Sequence, residues 1–396
     1  MEKLAIYNGK PVRDTYLAYG KQTIDESDIE AVITVLKGDY LTTGPYVKEF
    51  EEKVANYIGL KYAVAVSNGT AALHMACFAA GISDGDEVIV SPMTFAASAN
   101  AIRYCGGIPV FADIDSDTYN IDPIKFEEKI TERTKAIIPV DFAGQSVDMD
   151  HIKKIAHKYG LFIIEDAAHA LGSEYKGRKV GSQADMVEFS FHPVKPITTA
   201  EGGIVGTNNL ELYKKMLNFR THGITRDEEA LLSNHGPWYY EQQFLGFNYR
   251  LTDIQSALGI SQMDKLDGFI CRRREIVRQY NAAFKDLEEI IIPFEAEFSR
   301  SGWHLYVIKL KSELLKVTRK EIFLALQKEN IGVNVHYLPV YLHPYYKDLG
   351  YHKGLCPNAE ELYENMMTLP LFPSMIEQDI EDVIQGVYKV INYYRK

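Results

Sequence analysis

The chain has 396 residues, of which 46% are hydrophobic and 24% are charged, values that exclude a disordered protein or a coiled coil and predict more than one domain. Its formal net charge of −11 at pH 7 argues against a nucleic-acid-binding protein, because such proteins neutralise phosphates with a basic surface. The four cysteines are scattered without a CxxC pair, no apolar run reaches about 18 residues, and the first residues lack the pattern of a secretory signal. We therefore expect a cytoplasmic protein without a membrane span.

Residues 62–207 alternate short apolar runs with helical patterns at 70–80, 95–104, 124–130 and 149–159. Most apolar runs are rich in Val, Ile and Phe on both faces, as is typical of strands buried between layers of helices. The alternation predicts an α/β fold with a mainly parallel, seven-stranded sheet between helices. The seven runs are YAVAVS (62–67), EVIVSP (87–92), IPVFADI (108–114), KAIIPVDF (135–142), LFIIEDAA (161–168), MVEFSF (186–191) and GGIVGT (202–207).

The second half of the chain predicts a smaller domain. After an irregular, aromatic-rich segment (225–249), a helical pattern runs from residue 252 to about residue 287. We predict a large α/β domain with the N-terminal segment over residues 1–260, and a linking helix with a small C-terminal α+β domain over residues 261–396. The predicted elements of this small domain are a strand (HLYVIKL, 304–310), a helix (RKEIFLALQKE, 319–329), a strand (GVNVHYL, 332–338) and further helices.

The segment SNGTAAL (67–73) joins the first apolar run to a helical pattern. A helix N-terminus presents free backbone N–H groups, and the helix dipole favours a phosphate there. Taken alone, the segment fits a simple Ser or Asn helix cap better than a phosphate site. It matches neither the dinucleotide-binding nor the P-loop glycine pattern.

The segment IIEDAAHALG (163–172) places Glu165 and Asp166 at the end of a buried strand. Open α/β sheets bind ligands at this edge, where a carboxylate can pair with a cation such as a protonated ring nitrogen. In isolation, a helix N-cap explains the carboxylate equally well.

The segment FSFHPVKPITTAEGG (189–203) places Lys195 between Pro193 and Pro196. The two prolines predict a rigid, non-helical loop. A lysine amine that is desolvated or near other cations loses its proton more readily and becomes a nucleophile toward carbonyl groups. A purely structural lysine is the alternative, and the proline bracketing favours the chemical interpretation.

Together these motifs resemble the DegT/DnrJ/EryC1/StrS sugar aminotransferases, a fold-type I family that uses pyridoxal 5′-phosphate. The resemblance extends over nearly the whole chain, and the order and spacing of the motifs match, which is more specific than any single motif. The stretches most similar to one subgroup, which aminates C4 of a UDP-linked keto sugar on the route to pseudaminic acid, are HPVKPITTAEGG, WYYEQQFLGFNYRLTDIQSALG and VHYLPVYLHPYY.

The resemblance implies the cofactor contacts. Lys195 matches the lysine that bonds covalently to the cofactor and then moves a proton, and Asp166 matches the carboxylate that pairs with the ring nitrogen. His169, the third implied catalytic residue, matches a position beside the ring hydroxyl, and Phe95 matches the aromatic residue that stacks on the ring. The implied phosphate contacts are Gly69, Thr70, Ala71 and Ser190.

The resemblance also implies a homodimer with shared active sites, since Asn248 and Arg250 match a pair that reaches the partner's cofactor phosphate. A histidine in place of Lys195 is typical of related dehydratases, so the lysine favours a transferase. Ala200 stands where many relatives carry glycine. The residues that match the nucleotide-sugar site are Tyr19, Asp39, Tyr40, Leu41, Thr42, His336 and Tyr337.

The implied reaction transfers an amino group from L-glutamate to C4 of UDP-2-acetamido-2,6-dideoxy-β-L-arabino-hexos-4-ulose, giving UDP-4-amino-4,6-dideoxy-N-acetyl-β-L-altrosamine. Two alternatives stay open: an aminotransferase for another nucleotide 4-keto sugar, such as a perosamine-type or spore-coat sugar, and a non-catalytic regulatory homologue. No metal site is expected, because the scattered histidines lack zinc-ligand spacing.

Overall fold

The computed structural model describes residues 2–396, in which a central sheet carries helices on both faces. The strands are β1 (Tyr62–Val66), β2 (Glu87–Val90), β3 (Ile108–Phe111), β4 (Thr134–Ile138), β5 (Phe162–Asp166), β6 (Glu174–Tyr175), β7 (Arg178–Lys179), β8 (Met186–Ser190), β9 (Gly203–Thr207), β10 (Ile224–Thr225), β11 (Glu241–Gln242), β12 (Ile290–Ile291), β13 (Ser299–Arg300), β14 (Tyr306–Leu310) and β15 (Met366–Leu369). The helices are α1 (Glu26–Leu36), α2 (Pro45–Ile58), α3 (Gly69–Ala79), α4 (Ala97–Tyr104), α5 (Pro123–Glu127), α6 (Met149–Tyr159), α7 (Leu210–Phe219), α8 (Asp253–Met263), α9 (Leu266–Phe284), α10 (Arg319–Lys328), α11 (Pro344–Asp348), α12 (Pro357–Asn365) and α13 (Glu377–Tyr394).

The central sheet has the order β1-β9-β8-β5-β4-β2-β3. The pairs β8–β5, β5–β4, β4–β2 and β2–β3 are parallel, whereas β9 runs antiparallel to both of its neighbours. The antiparallel strand follows from the short connection between β8 and β9, which contains no crossover helix. All seven predicted strands lie in this sheet, so the predicted mainly parallel, seven-stranded sheet is confirmed.

Alternation along β8 decides which side chains reach the functional face of the sheet. Met186 packs in the same apolar cluster as helices α3 and α4, whereas Val187 and Phe189 pack in the cluster on the opposite face with α2. Because side chains alternate along a strand, Glu188 and Ser190 share the face of Met186. That face carries the N-terminus of α3.

A second core lies in the C-terminal part of the chain. The antiparallel sheet β12-β14-β15 packs with α9, α10 and α13, and the same apolar cluster includes Leu4 and Leu17. The N-terminal segment therefore contributes to this core as well as to the large sheet, where Val47 and Phe50 are buried. The division of the chain at residues 260 and 261 stays a prediction.

Two predicted elements differ from the structure. The long helical pattern over 252–287 is two helices, α8 and α9, which are separated at Asp264 and Lys265. The strand predicted over 332–338 is wrong, since only Asn334 makes a bridge, to Thr368. The Asn334 side chain accepts a hydrogen bond from the neighbouring Val335 N–H at 2.8 Å, which turns the backbone away from an extended ladder.

The aromatic-rich segment between α7 and α8 forms only the short pair β10–β11. Several large side chains of this segment are exposed, among them Leu232, Trp238 and Leu245. Among residues 2–396, no helix combines the length and the apolar character needed to cross a membrane.

Candidate active site

A cavity of about 850 Å³ opens at the carboxyl ends of the parallel strands. Asp166 ends β5, Ser190 ends β8, and α3 begins at Gly69 after β1. Loops and helix N-termini that follow parallel strands meet at this edge of a sheet, which is where α/β proteins bind ligands. The predicted site residues in the cavity wall are Tyr19, Gly69, Thr70, Ala71, Phe95, Asp166, His169, Ser190, Lys195, His336 and Tyr337.

The N-terminus of α3 forms one end of the cavity. The Asn68 side chain caps this helix by accepting a hydrogen bond from the Ala71 N–H at 2.8 Å. The N–H groups of Gly69 and Thr70 have no acceptor within the helix and are available to an anion. A Cβ atom on Gly69 would lie 3.1 Å from Ser190 Oγ, so the glycine lets this hydroxyl approach the helix end. The arrangement suits a phosphate.

Asp166 is a buried carboxylate in the cavity wall, 4% exposed. It accepts hydrogen bonds from the Ser98 hydroxyl at 2.6 Å and from the Ala168 N–H at 3.2 Å. Burial raises the pKa of Asp166, while these two donors and the nearby Lys195 ammonium group oppose the rise. A carboxylate held in this way can pair with a cationic ring nitrogen.

Lys195 lies on the loop that joins β8 to β9. The Lys195 N–H donates to the His192 carbonyl oxygen at 2.9 Å. The Thr198 hydroxyl donates to the carbonyl oxygen of Phe191, the first residue of the loop, at 3.0 Å. These bonds close the loop on itself, so the lysine is held in a fixed turn and not on a mobile surface segment.

Burial lowers the pKa of Lys195 to about 8, although the neighbouring carboxyl groups, chiefly that of Asp166, act in the opposite direction. A substantial fraction of this amine is therefore neutral near pH 8. A neutral lysine amine attacks carbonyl carbons, which is the chemistry expected of a lysine that bonds to an aldehyde cofactor.

Two histidines that line the cavity, His169 and His336, are polar but uncharged. The Nδ1 atom of His169 accepts a hydrogen bond from the Ala143 N–H at 3.3 Å, and its Nε2 atom lies 3.2 Å from the Tyr337 hydroxyl. Burial lowers the pKa of His169 well below its usual value and lowers the pKa of His336 to about 4. Both imidazoles are neutral at pH 7 and can donate or accept hydrogen bonds without adding charge.

Two aromatic rings offer flat surfaces to a ligand. Phe95 is 62% exposed although it borders the cavity, and its ring centroid lies 6.2 Å from that of Tyr337. Tyr19 lies 5.1 Å from the ring centroid of His336. An exposed phenyl face beside Asp166 and Lys195 suits stacking on a planar ring.

Six predicted site residues lie outside this cavity. The segment 39–42 is exposed, and the Leu41 carbonyl oxygen accepts a hydrogen bond from the Asp253 N–H at 3.0 Å, which fixes the segment to the start of α8. Asn248 is exposed, and Arg250 pairs with Val66 in an isolated bridge. The roles of these residues stay predictions. The six are Asp39, Tyr40, Leu41, Thr42, Asn248 and Arg250.

The cavity wall also contains polar residues that the sequence motifs did not indicate. The sequence could have indicated Glu188, because this residue lies two positions before Ser190 and side chains two positions apart on a strand share one face of the sheet. Ser98 and His304 carried no comparable signal, since their positions depend on how distant segments pack. These additional residues include Thr94, Ser98, Glu188, Tyr249, His304 and Asn334. Among residues 2–396, no group of three or more His, Cys, Asp or Glu side chains is arranged to hold a metal ion.

Comparison with known proteins identifies the family. The model of the DegT/DnrJ/EryC1/StrS aminotransferase family matches residues 22–388. The chain belongs to this family. The predicted family, fold class and transferase activity are confirmed, and the protein is a sugar aminotransferase.

Two similar proteins act in sugar pathways, as their names state. The spore coat polysaccharide biosynthesis protein SpsC of Bacillus subtilis is 44% identical, covering 96% of this chain and 98% of SpsC. The UDP-4-amino-4,6-dideoxy-N-acetyl-β-L-altrosamine transaminase of Campylobacter jejuni is 41% identical, covering 96% of this chain and 99% of that protein.

Solved structures agree with this assignment. Helicobacter pylori PseC, an aminotransferase of pseudaminic acid biosynthesis, superposes with a TM-score of 0.90 at 35% identity, covering 96% of this chain and 100% of PseC. Spr1654 of Streptococcus pneumoniae, in a pyridoxal-phosphate form, superposes with a TM-score of 0.89 at 33% identity, covering 96% of this chain and 99% of that chain. The family and this form imply pyridoxal phosphate as the cofactor.

Proposed function

We propose that the protein transfers the amino group of L-glutamate to C4 of a UDP-linked 4-keto-6-deoxy sugar, with pyridoxal phosphate as cofactor. The proposed acceptor is UDP-2-acetamido-2,6-dideoxy-β-L-arabino-hexos-4-ulose, and the product is UDP-4-amino-4,6-dideoxy-N-acetyl-β-L-altrosamine. The observation that carries the proposal is the pair of Lys195, with a pKa lowered to about 8, and buried Asp166 in one 850 Å³ cavity. The 41% identical transaminase of that name supports this choice of sugar.

The residues of the cavity fit pyridoxal phosphate. The cradle of Gly69, Thr70 and Ser190 suits its phosphate, because a side chain at Gly69 would fill the space beside the serine hydroxyl. The exposed face of Phe95 suits its ring, and Asp166 suits its ring nitrogen. When bound, the cofactor supplies an electron-withdrawing ring that carries the amino group between the two substrates.

In this proposal Lys195 has two successive roles. Its neutral Nζ atom would hold the cofactor covalently through the aldehyde carbon, with loss of water, and would be freed when the amine of a substrate takes its place. The freed Nζ atom then takes the proton from the Cα atom of glutamate and, in the second half of the reaction, delivers a proton to C4 of the sugar. The pKa of about 8 suits both directions of transfer near neutral pH.

The neutral histidines and the aromatic wall are proposed to orient the substrates. His169, with its hydrogen bonds to Ala143 and Tyr337, places an uncharged polar group beside the ring hydroxyl. His336 and Tyr19, whose ring centroids lie 5.1 Å apart, also line the cavity and offer groups on which a sugar ring can stack and hydrogen bond. Because these imidazoles carry no charge at pH 7, they do not compete with the ring nitrogen for Asp166.

We further propose a homodimer in which each subunit completes the site of the other. Asn248 and the segment 39–42 are exposed and lie outside the cavity of their own chain. Asn248 and Arg250 would reach the cofactor phosphate of the partner, where an amide N–H and a guanidinium bind phosphate oxygens well. The cytoplasmic location stays a prediction, which the four free cysteines support.

The experiment that tests the proposal includes other candidate acceptors, because the 44% identical SpsC acts in spore coat polysaccharide biosynthesis. The purified protein with pyridoxal phosphate and L-glutamate is incubated with a panel of nucleotide-linked 4-keto sugars, including the proposed UDP sugar and a perosamine-type precursor. Product formation is followed by mass spectrometry and its configuration by NMR. We expect the highest kcat/KM with the UDP-linked N-acetyl sugar.

Two outcomes would contradict the proposal. A higher kcat/KM with another nucleotide sugar would move the assignment to that acceptor while leaving the reaction class intact. A visible absorbance band of the bound cofactor that L-glutamate does not change would instead favour the non-catalytic homologue. The same cofactor-loaded protein without L-glutamate serves as the control for the second measurement.

A further inference from the structure

Glu188 is a buried carboxyl group in the cavity wall for which the proposed reaction has no role. It is fully buried on β8, where it lies in register with Asp166 of β5 and with Val205 of β9. Residues in register on neighbouring strands point to the same face of a sheet. Within residues 2–396, no N–H or O–H group donates a hydrogen bond to either carboxyl oxygen of Glu188.

The surroundings of Glu188 are shaped to admit its side chain. A Cβ atom on Gly69 would lie only 2.6 Å from Glu188 Oε1, so any larger residue at the start of α3 would collide with it. The α3 residue beside it is thus a glycine, and β9 contributes the apolar Val205. The charged groups that face Glu188 are Asp166 on β5 and Lys195 on the loop after β8.

The neighbouring carboxyl groups of Asp166 and Glu188 differ in how many hydrogen bonds they accept. Asp166 accepts hydrogen bonds from Ser98 and Ala168, whereas Glu188 accepts none. A carboxylate without donors in a buried place is strongly disfavoured. Burial and the negative charge of Asp166 raise the pKa of Glu188 well above its usual range, which favours its protonated form. The pair then holds one negative charge, located on Asp166.

We propose that Glu188 is a positioning residue whose neutral carboxyl group, buried beside Asp166, supports the ionised state of Asp166. A carboxylate has about four lone-pair sites, and two of those on Asp166 are used by Ser98 and Ala168. Protonated Glu188, which lies in register with Asp166 across the β5–β8 pair, offers its O–H group as a further hydrogen-bond donor to the same carboxylate. The inference rests on the proposed function, in which ionised Asp166 pairs with the ring nitrogen.

Two substitutions at Glu188 separate the effect of its hydrogen-bond donor from the effect of its side-chain volume. Glu188→Gln keeps a neutral donor of the same size, whereas Glu188→Leu keeps most of the volume and removes the donor. Without the donor, the pKa of Asp166 rises further and a smaller fraction is ionised at pH 7. We expect the Leu variant to react with L-glutamate roughly tenfold more slowly at pH 7 and to recover at higher pH, with the Gln variant within about twofold of wild type.

Infrared spectroscopy of the cofactor-free protein tests the protonation state without any reaction. At pH 7, the difference between wild type and Glu188→Gln should show the loss of a carboxylic acid C=O band. Other buried acids cancel in this difference because they are present in both proteins. Loss of a carboxylate band instead would overturn the inference, even if the Leu variant failed to fold.

The outcomes distinguish this inference from the proposed function. A wild-type protein that does not react with L-glutamate refutes the proposed function, whatever the infrared result. If the wild type reacts and the folded Leu variant matches it in rate and pH profile, the inference alone fails. It also fails if both variants lose affinity for inorganic phosphate with an unchanged pH profile, since Glu188 would then serve the phosphate cradle near Gly69.

Discussion

Two regions that carry predicted site residues differ in how the fold places them. The inner region, formed by buried Asp166 and by half-buried Lys195 and the start of α3, converges on one cavity at the sheet edge. The outer region, formed by the segment 39–42 and by Asn248, is exposed and lies outside that cavity. The residues of both regions were predicted from the same family resemblance. Within one chain, however, only those of the inner region come together in the cavity.

The difference has a physical cause. Parallel strands bring their carboxyl ends to one edge, so the inner residues meet wherever the sheet forms. The outer residues sit on exposed connections, which the sheet does not direct toward the cavity. The inner region therefore depends on this chain's own packing, and the outer region is expected to act only when a second chain is present.

The largest expected effect comes from removing the nucleophile of the inner region. Lys195→Ala should lower turnover by at least roughly a hundredfold, because it removes both the covalent attachment and the proton carrier. Since Lys195 lies on a loop closed by hydrogen bonds that do not involve its side chain, the variant should fold normally, as checked by circular dichroism. Steady-state activity close to wild type would refute the assigned role.

Asp166→Asn should have the next largest effect. The amide keeps the shape of the side chain but cannot hold a proton on the ring nitrogen, so the half-reaction with L-glutamate should slow by roughly ten- to hundredfold. Cofactor content and half-reaction rate are measured separately by absorbance. A variant that retains its cofactor and reacts at the parental rate would reduce Asp166 to a structural cap.

The pKa of Lys195 predicts how cofactor loading depends on pH. Only the neutral amine attacks the cofactor aldehyde, so the loading rate of cofactor-free protein should rise through pH 8 to a plateau. At pH 7 the rate should be roughly a tenth of that plateau. Stopped-flow absorbance measures it, and His169 and His336 do not interfere because both stay neutral over this range. A rate that is flat across pH 8 contradicts the lowered pKa.

Subunit mixing tests the outer region. An inactive Lys195→Ala subunit combined with an inactive Asn248→Ala subunit should regain activity, because one hybrid site contains both intact residues. Random reassociation makes about half of the dimers hybrid, each with one repaired site of two, so roughly a quarter of wild-type activity is the maximum. No recovery despite demonstrated subunit exchange, or an active monomer, would exclude shared sites.

The smallest expected effect concerns the backbone of the lysine loop. Ala200 has a φ of 66°, in the left-handed region that costs residues with a Cβ atom energy. Ala200→Gly should stabilise the folded protein by up to about 1 kcal/mol, less the entropy that glycine loses on folding. Thermal unfolding of the cofactor-free protein measures it. A lower melting temperature would show that the entropy glycine loses on folding outweighs the strain that the substitution relieves, as the exposed Ala200 methyl group has little packing to lose.

Sequence patterns predicted the strands and the residues of the inner region, because both depend on patterns of neighbouring residues along the chain. The seven apolar runs became the seven strands of the sheet, and Asp166 and Lys195 stand directly at or after strand ends. The strand predicted over 332–338 failed because Asn334 bonds to its own neighbour, a competition that an alternating pattern does not reveal.

The sequence by itself determined the family, the sheet and the residues that its motifs place at strand ends, since these follow from periodicity and motif order. Only the tertiary structure decided that Ser98 donates to Asp166, that Glu188 is buried beside it without a partner, and that burial lowers the pKa of Lys195 to about 8. These properties depend on which groups from distant segments surround a side chain and how completely they exclude water. No local pattern encodes that enclosure, because it exists only once the sheet, its helices and the C-terminal segment have packed together.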